Sequence, residues 1–153
     1  MLDSTDLRIL ELLQADARTP NTEIAKQVDL VPSAVLERIR RLEKKGVIEG
    51  YSARVNPKAL GLGLAAYIAV RSRERVGTAE TAKQLAKLPQ VLEVHHVAGE
   101  DCLLVKTRCA DTEDLTRLLR ESFGKIRSIE STRTTIVLET VKETSALPLR
   151  GQD

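Results

Sequence analysis

Ser33-Ala34-Val35-Leu36-Glu37-Arg38-Ile39-Arg40-Arg41-Leu42-Glu43-Lys44-Lys45 is the stretch on which the fold turns. At about 100° per residue, Val35, Ile39 and Leu42 fall on one stripe, the spacing of a helix packed on a single side. Ser33, Glu37, Arg40, Arg41 and Lys44 lie roughly opposite, with Ala34 and Arg38 on the flank. Gly46 follows where a helix end needs a left-handed residue. Upstream, Thr22 to Val28 has the spacing of a short helix, and Asp29-Leu30-Val31-Pro32 is a tight break. A short helix, a break and a basic second helix predict a helix-turn-helix, whose second helix enters the DNA major groove. The plainer alternative is a solvated charged face on an ordinary helical hairpin.

Toward the N-terminus a first helix is expected over Ser4 to Ala15. Asp3 is its N-cap, Asp6 favours the positive end of the helix dipole, and Ile9, Leu10 and Leu13 form the buried stripe. Thr19-Pro20 is expected to open the second helix as cap and first-turn proline, with Ile24, Ala25 and Val28 inward. The three helices close a compact unit near Lys45. Val47 to Val55 reads as an extended strand leading out, broken by Asn56-Pro57 and followed by Gly61 and Gly63.

Beyond this boundary strand and helix patterns alternate. Leu64 to Arg73 is a strand, Thr78 to Leu88 a helix with Ala82, Leu85 and Ala86 inward, and Val91 to Ala98 a strand. Gly99-Glu100-Asp101 turns into a strand from Cys102 to Cys109. Asp111 or Thr112 caps a helix through Phe123, and Ile126 to Lys142 is a long final strand. The order βαββαβ, with right-handed crossovers, gives a four-stranded antiparallel ferredoxin-like sheet with both helices on one side. Leu64, Ile68 and Val70 point one way and Ala65, Tyr67 and Ala69 the other, so one apolar face is left for a partner, most simply a second subunit. The fold class is therefore α+β: an N-terminal helix-turn-helix, winged-helix-like, over residues 1–50; a linker strand and hinge at 51–63; the ferredoxin-like domain at 64–144; and a loose tail at 145–153.

A chain of 153 residues with 42% apolar and only 2% aromatic residues builds aliphatic cores. Net charge is only +2, so the charge that matters is local. Arg38, Arg40, Arg41, Lys44 and Lys45 outnumber Glu37 and Glu43, whereas Asp3, Asp6, Glu11 and Asp16 gather in the first helix. No apolar run reaches the roughly 18 residues of a membrane span, and Asp3 and Asp6 stand where a signal peptide would be basic. A cytoplasmic protein with no membrane partner is expected. Cys102 and Cys109 are an odd number of residues apart in one strand, so they face opposite ways and neither chelate one metal nor bridge. His95 and His96 diverge likewise. No cofactor, metal site or nucleophile–base pair is seen, which argues against an enzyme. The strands also lack the stacking aromatics of an RNA-binding sheet.

Several motifs recur in order: Leu2-Asp3-x-x-Asp6-x-x-Ile9-Leu10, Ala17-Arg18, Glu23-Ile24-Ala25, Arg38-Ile39-x-x-Leu42-Glu43, Gly46-Val47-Ile48-x-Gly50-Tyr51, Val97-Ala98-Gly99-Glu100-Asp101 and Thr132-Arg133-Thr134. Together they resemble the leucine-responsive/asparagine-responsive (Lrp/AsnC) transcription regulators over residues 2–142. The resemblance implies dimers formed through the sheet, octameric assembly of dimers, and an amino-acid effector bound between dimers near the turn joining the second and third sheet strands. Its partners would be double-stranded DNA, further copies of the chain and a small effector whose identity the sequence does not name. A DNA-organising protein that ignores ligands is the alternative within the same fold.

For DNA, Arg38 and Arg41 are the first candidates to reach base edges, since an arginine fork matches guanine O6 and N7. A salt bridge to the first helix is the structural alternative for Arg38. Arg40 and Lys44 suit phosphate contacts, Ser33 and Ala34 allow close approach at the helix start, and Glu37 shares their face. For the effector, Gly99 permits close backbone approach, Glu100 or Asp101 offers a carboxylate to an ammonium, and Thr132 and Thr134 share one face of the last strand. Two departures from the family stand out. Val31 replaces a capping serine, so Ser33 is expected to cap and shift the helix start. Cys102 occupies the place of an aspartate, so either Asp101 substitutes or a different ligand is preferred.

Overall fold

A computed structural model describes residues 2–75 and 78–149. Two compact units emerge, one made of the chain up to Arg54 together with the residues from Lys142 on, the other of Val55–Val141.

In the first unit, α1 (Ser4–Ala15) is fixed at its start by a capping box. The Asp6 amide donates to Asp3 Oδ1 at 2.7 Å and the Asp3 amide to Asp6 Oδ2 at 3.4 Å. α2 (Asn21–Val28) begins after Pro20, which is itself the cap and offers no side-chain bond. Thr19 does not cap as expected, because its hydroxyl donates backward to the Asp16 carbonyl at 2.8 Å. α2 ends on Asp29 in the left-handed region, φ 52°. α3 (Pro32–Lys44) starts with Val31 as N-cap and Pro32 as its first residue. The expected shift of its start to Ser33 does not occur: the proline's fixed φ begins the helix without a side-chain cap. Gly46, at φ 69°, closes it. Its amide donates to Glu43 O and that of Val47 to Leu42 O, both at 2.9 Å, a Schellman ending. Ile9, Ile24, Ala25, Val35 and Ile39 form the core, with Leu12, Leu13, Val28, Leu30 and Ile48 packed around it.

Two expectations for the connecting segments are corrected. Among the described residues none between Val47 and Val55 joins a ladder; the Val47 and Ile48 amides donate instead to Leu42 O, at 2.9 and 3.4 Å. The loose tail expected from residue 145 is pinned at Leu147: its amide donates to Gln14 Oε1 at 2.6 Å and its carbonyl accepts from Gln14 Nε2 at 3.1 Å. A side-chain amide carries the same donor–acceptor pair as a peptide, which lets Gln14 stand in for a missing strand. Residues 150–153 of that tail lie outside the described residues.

In the second unit, β1 (Leu64–Ser72), α4 (Glu80–Leu85), β2 (Val91–His96), β3 (Leu103–Cys109), α5 (Thr112–Arg117) and β4 (Ile129–Ile136) realise the βαββαβ order. The strand order is β2-β3-β1-β4, antiparallel throughout. α5 runs on through a π-helical turn at Leu118–Ser122 and a 3-10 turn at Phe123–Lys125. β4 is shorter than the expected 126–142 because its partner runs out: β1 starts at Leu64, and the last bond reaches Ala65 O from Val137. In α4 Thr81 and Leu85 are buried and Ala82 packs against the core, as expected for the last two, while Ala86 is exposed. Ala66, Ile68, Val70, Leu103, Val105 and Phe123 belong to the core between sheet and helices. Across the sheet, Tyr67 stands between Lys106 and Thr135, and Ala69 between Leu104 and Arg133. No element of this unit covers that side among the described residues, and Tyr67 is 37% exposed.

Candidate nucleic-acid interface and effector cavity

α3 presents three strips. Val35, Ile39 and Leu42 are buried. Ser33, Glu37, Arg40 and Lys44 are exposed on the opposite side. The flank carrying Arg38 and Arg41 meets the start of α1. Arg38 Nη1 donates to Asp3 Oδ2 at 2.6 Å and to Asp6 Oδ1 at 2.7 Å. Arg41 Nη2 donates to Asp6 Oδ1 at 3.0 Å and Oδ2 at 3.1 Å. Asp6 is only 2% exposed. The hydrogen bond from Arg38, followed by that from the Asp6 amide, holds the Asp3 carboxyl below its usual range, and the two acids hold Arg38 above its own.

The first candidates for base edges are thus the residues the structure ties back to α1. Arg38 follows the structural alternative, with a side chain 26% exposed, and Arg41 keeps a side chain 47% exposed while bonded to the same carboxylate. Among the described residues Arg40, Lys44 and Glu37 have no charged partner within 4 Å, which leaves their groups available to a ligand. Ala34 is half-buried at the helix start beside exposed Ser33. Leu36, exposed next to Glu37, was not singled out from sequence; an apolar residue beside a polar face is the kind that meets a thymine methyl. Nor was the role of Asp6, although the signal was present: it lies on the same stripe as Ile9, Leu10 and Leu13, and an acid on a buried stripe requires a cation.

The predicted effector residues divide between two faces of the sheet. Gly99 takes φ 126°, a backbone that side chains rarely adopt. Glu100 accepts from Arg71 at 3.1 Å and Asp101 from Arg133 at 2.6 Å. Arg133 pairs with Ala69, on the uncovered side. Thr132 and Thr134 pair with Val70 and Ile68 and therefore share the helix-covered face. Within one chain the loop carboxylates and the threonines lie on opposite faces of the sheet, because alternate residues of a strand face opposite ways. Cys102 points its thiol at Val70 O, 3.5 Å away, and packs against the core. On the helix side a cavity of about 220 Å³ opens between the π-helical turn and the start of β4. Leu119, Phe123, Ile126 and Ile129 line it together with Glu130, Ser131 and Thr132. Thr132 alone of the predicted effector residues lines it.

A helix-turn-helix with an exposed basic helix, carried with a ferredoxin-like unit that offers a small cavity, is the make-up of a transcription regulator. Comparison with known proteins narrows this. Residues 2–49 match the winged helix-turn-helix DNA-binding model and residues 65–147 the Lrp/AsnC ligand binding domain. The chain is 39% identical over 150 residues to the HTH-type transcriptional regulator FL11 of Pyrococcus furiosus, covering 98% of each. It is 36% identical to the leucine-responsive regulatory protein of Escherichia coli, covering 97% of this chain and 92% of that one. Its fold superposes on the transcriptional regulator NMB0573 of Neisseria meningitidis, solved with L-Met, with a TM-score of 0.91 at 31% identity and 97% coverage of both. The chain belongs to the Lrp/AsnC family: it is a DNA-binding transcription regulator, not an enzyme. No helix among the described residues is long and apolar enough to cross a membrane.

Proposed function

We propose that this regulator changes its DNA occupancy on binding an amino acid, and that the cavity beneath Thr132 receives it. The observation that carries the reading is the cavity itself, whose lining sets apolar Leu119, Phe123, Ile126 and Ile129 beside the polar Glu130 and Thr132. At about 220 Å³ it falls under the roughly 300 Å³ at which sites for drug-sized ligands begin, which suits a molecule of amino-acid size. The π-helical turn beside it supports the reading, since such turns frequently mark functional sites. Gly99, Glu100, Asp101 and Cys102 then act across an interface, their loop meeting the cavity, with Thr132 and Thr134, of a neighbouring dimer. The uncovered sheet face around Tyr67 supports dimers, and dimers assembling further, to octamers, would bring loop and cavity together. Residues 1–50 read DNA through Ser33, Ala34, Glu37, Arg40 and Lys44, with Arg41 at the margin and Arg38 as their support; 51–63 connect, and 64–144 assemble and bind effector. The working place of such a protein is the cytoplasm.

A thermal-shift screen against the twenty amino acids at millimolar concentration tests the effector. A ligand at 100 times its dissociation constant adds about 2.7 kcal/mol, worth several degrees in a domain of this size. A selective hit abolished by Thr132→Val supports the cavity. No hit, together with DNA binding and assembly indifferent to all twenty, favours the ligand-independent organiser.

A further inference from the structure

Asp6 is the only charged side chain in the buried set among the described residues, and the family's DNA-reading role does not by itself account for it. Its two oxygens accept from Arg38 at 2.7 Å, from Arg41 at 3.0 and 3.1 Å, and from the Asp3 amide at 3.4 Å. We propose that Asp6 is a specificity-determining residue for DNA: by holding Arg38 and Arg41 against α1, it withholds two guanidiniums from the phosphate backbone and leaves contact to Arg40, Lys44 and the base-facing side chains.

A buried carboxylate left unpaired is costly, so Asp6 must keep a guanidinium whether or not DNA is present. Arg38 is held by two acids and Arg41 by one. The flank of α3 therefore presents Arg38 and Arg41 already matched by Asp3 and Asp6, two cations against two anions. Phosphate contacts add affinity equally at every sequence. A recognition helix with four free cations would bind any duplex tightly and gain little at its own site, whereas one with its flank neutralised keeps the ratio high. Arg41, still half exposed, is the one able to lean toward DNA while keeping an edge on Asp6; Asp6 thus also fixes where that edge points.

The proposal rests on α3 being the reading helix, and the test separates the two. Affinity for a random-sequence duplex and for the strongest sequence the wild-type protein selects from a random pool is measured between 50 and 200 mM salt. Asp6→Asn keeps the shape and removes the charge. It is expected to tighten random-duplex binding, lower the selected-to-random ratio, and steepen the log K against log salt slope by up to about 0.9 per released guanidinium per subunit. The double variant Asp6→Asn/Arg41→Gln should recover part of the wild-type slope. A residue that only supports the fold would lower both affinities together at unchanged slope, and that result overturns the proposal. Should Asp6→Asn fail to fold, Asp3→Asn, at a half-exposed site, decides instead: a steeper slope supports the proposal and an unchanged one overturns it. Arg40→Ala/Lys44→Ala is the control. If it too leaves the slope unchanged, the reading-helix assignment fails and takes the proposal with it; if it flattens the slope while the acid variants do nothing, Asp6 alone is refuted.

Discussion

Replacing both Arg40 and Lys44 by alanine removes the two cations that α3 holds toward solvent without a charged partner among the described residues. Each phosphate neutralised on B-DNA contributes about −0.9 to the slope of log K against log salt. Two lost contacts flatten that slope by about 1.8 per subunit. Raising salt fourfold, from 50 to 200 mM, costs four to the power 1.8, so the wild-type protein should lose about 12-fold more affinity per bound subunit than the variant over that range. The two curves converge at high salt. Fluorescence anisotropy of a labelled duplex, read at four or five salt concentrations, resolves such a difference easily. Both positions are exposed and remote from the core, so the thermal midpoint should hardly move. Parallel lines with a constant gap would refute the reasoning, because a loss insensitive to salt is not a loss of phosphate contact.

Asp29→Gly should stabilise the chain, since Asp29 ends α2 at φ 52° and glycine relieves roughly 1 kcal/mol of left-handed strain, worth ~2–4 °C; a lower midpoint would mean the aspartate holds the turn by other means. Cys109 is buried and its thiol is pushed up to about 11, by burial first and then by Asp114 and Asp111. At pH 8 about one molecule in a thousand carries the thiolate that reacts, so iodoacetamide should modify Cys109 only after unfolding, and its labelling in the native protein would contradict the buried placement. Asp3 is held below its ordinary value of 3.8, chiefly by Arg38. A depressed folded value gives a contribution complete above the unfolded value and lost as pH falls through the folded one. The difference between the midpoints of the wild-type protein and Asp3→Asn should therefore be constant near pH 6 and shrink as the pH falls below 3.8; a gap that does not shrink in acid would count against the ion pair.

How far the chain could be read follows from which forces are local. Asp3 and Asp6 at capping-box spacing, ahead of Ile9 and Leu10, gave the bounds of α1 as observed. Gly46 marked the end of α3 because a left-handed position leaves few other choices. The four strands followed from alternation and from the turns between them. What stayed hidden depended on neighbours distant in sequence. The length of β4 is set by where β1 begins, not by its own apolar pattern. Thr19 could accept from a helix amide or donate back to a carbonyl, and the chain's path set it donating to Asp16. Alternation told that Thr132 and Thr134 share a face; it did not tell which way the 99–101 turn bends, and that turn found Arg71 and Arg133 on the other side. Arg38 was legible as basic and flanking and Arg41 as basic and outward, but both turn to Asp6, more than thirty residues earlier in the chain and disguised as a first-turn acid of α1.

The scarcity of aromatic residues has a practical side. With no tryptophan and two tyrosines, the intrinsic fluorescence of this protein comes from Tyr51 and Tyr67 alone, and each unit owns one of them. Tyr51 gives its hydroxyl to Glu43 at 2.9 Å, at the foot of α3, the proposed reading helix, and a carboxylate acceptor quenches a phenol. Tyr67 stands in the middle of the open sheet. The molecule therefore carries two native optical reporters with separate allegiances: emission that brightens when duplex is added speaks for the first, and emission that follows dilution speaks for the second. Single Tyr→Phe replacements would tell them apart with no label attached.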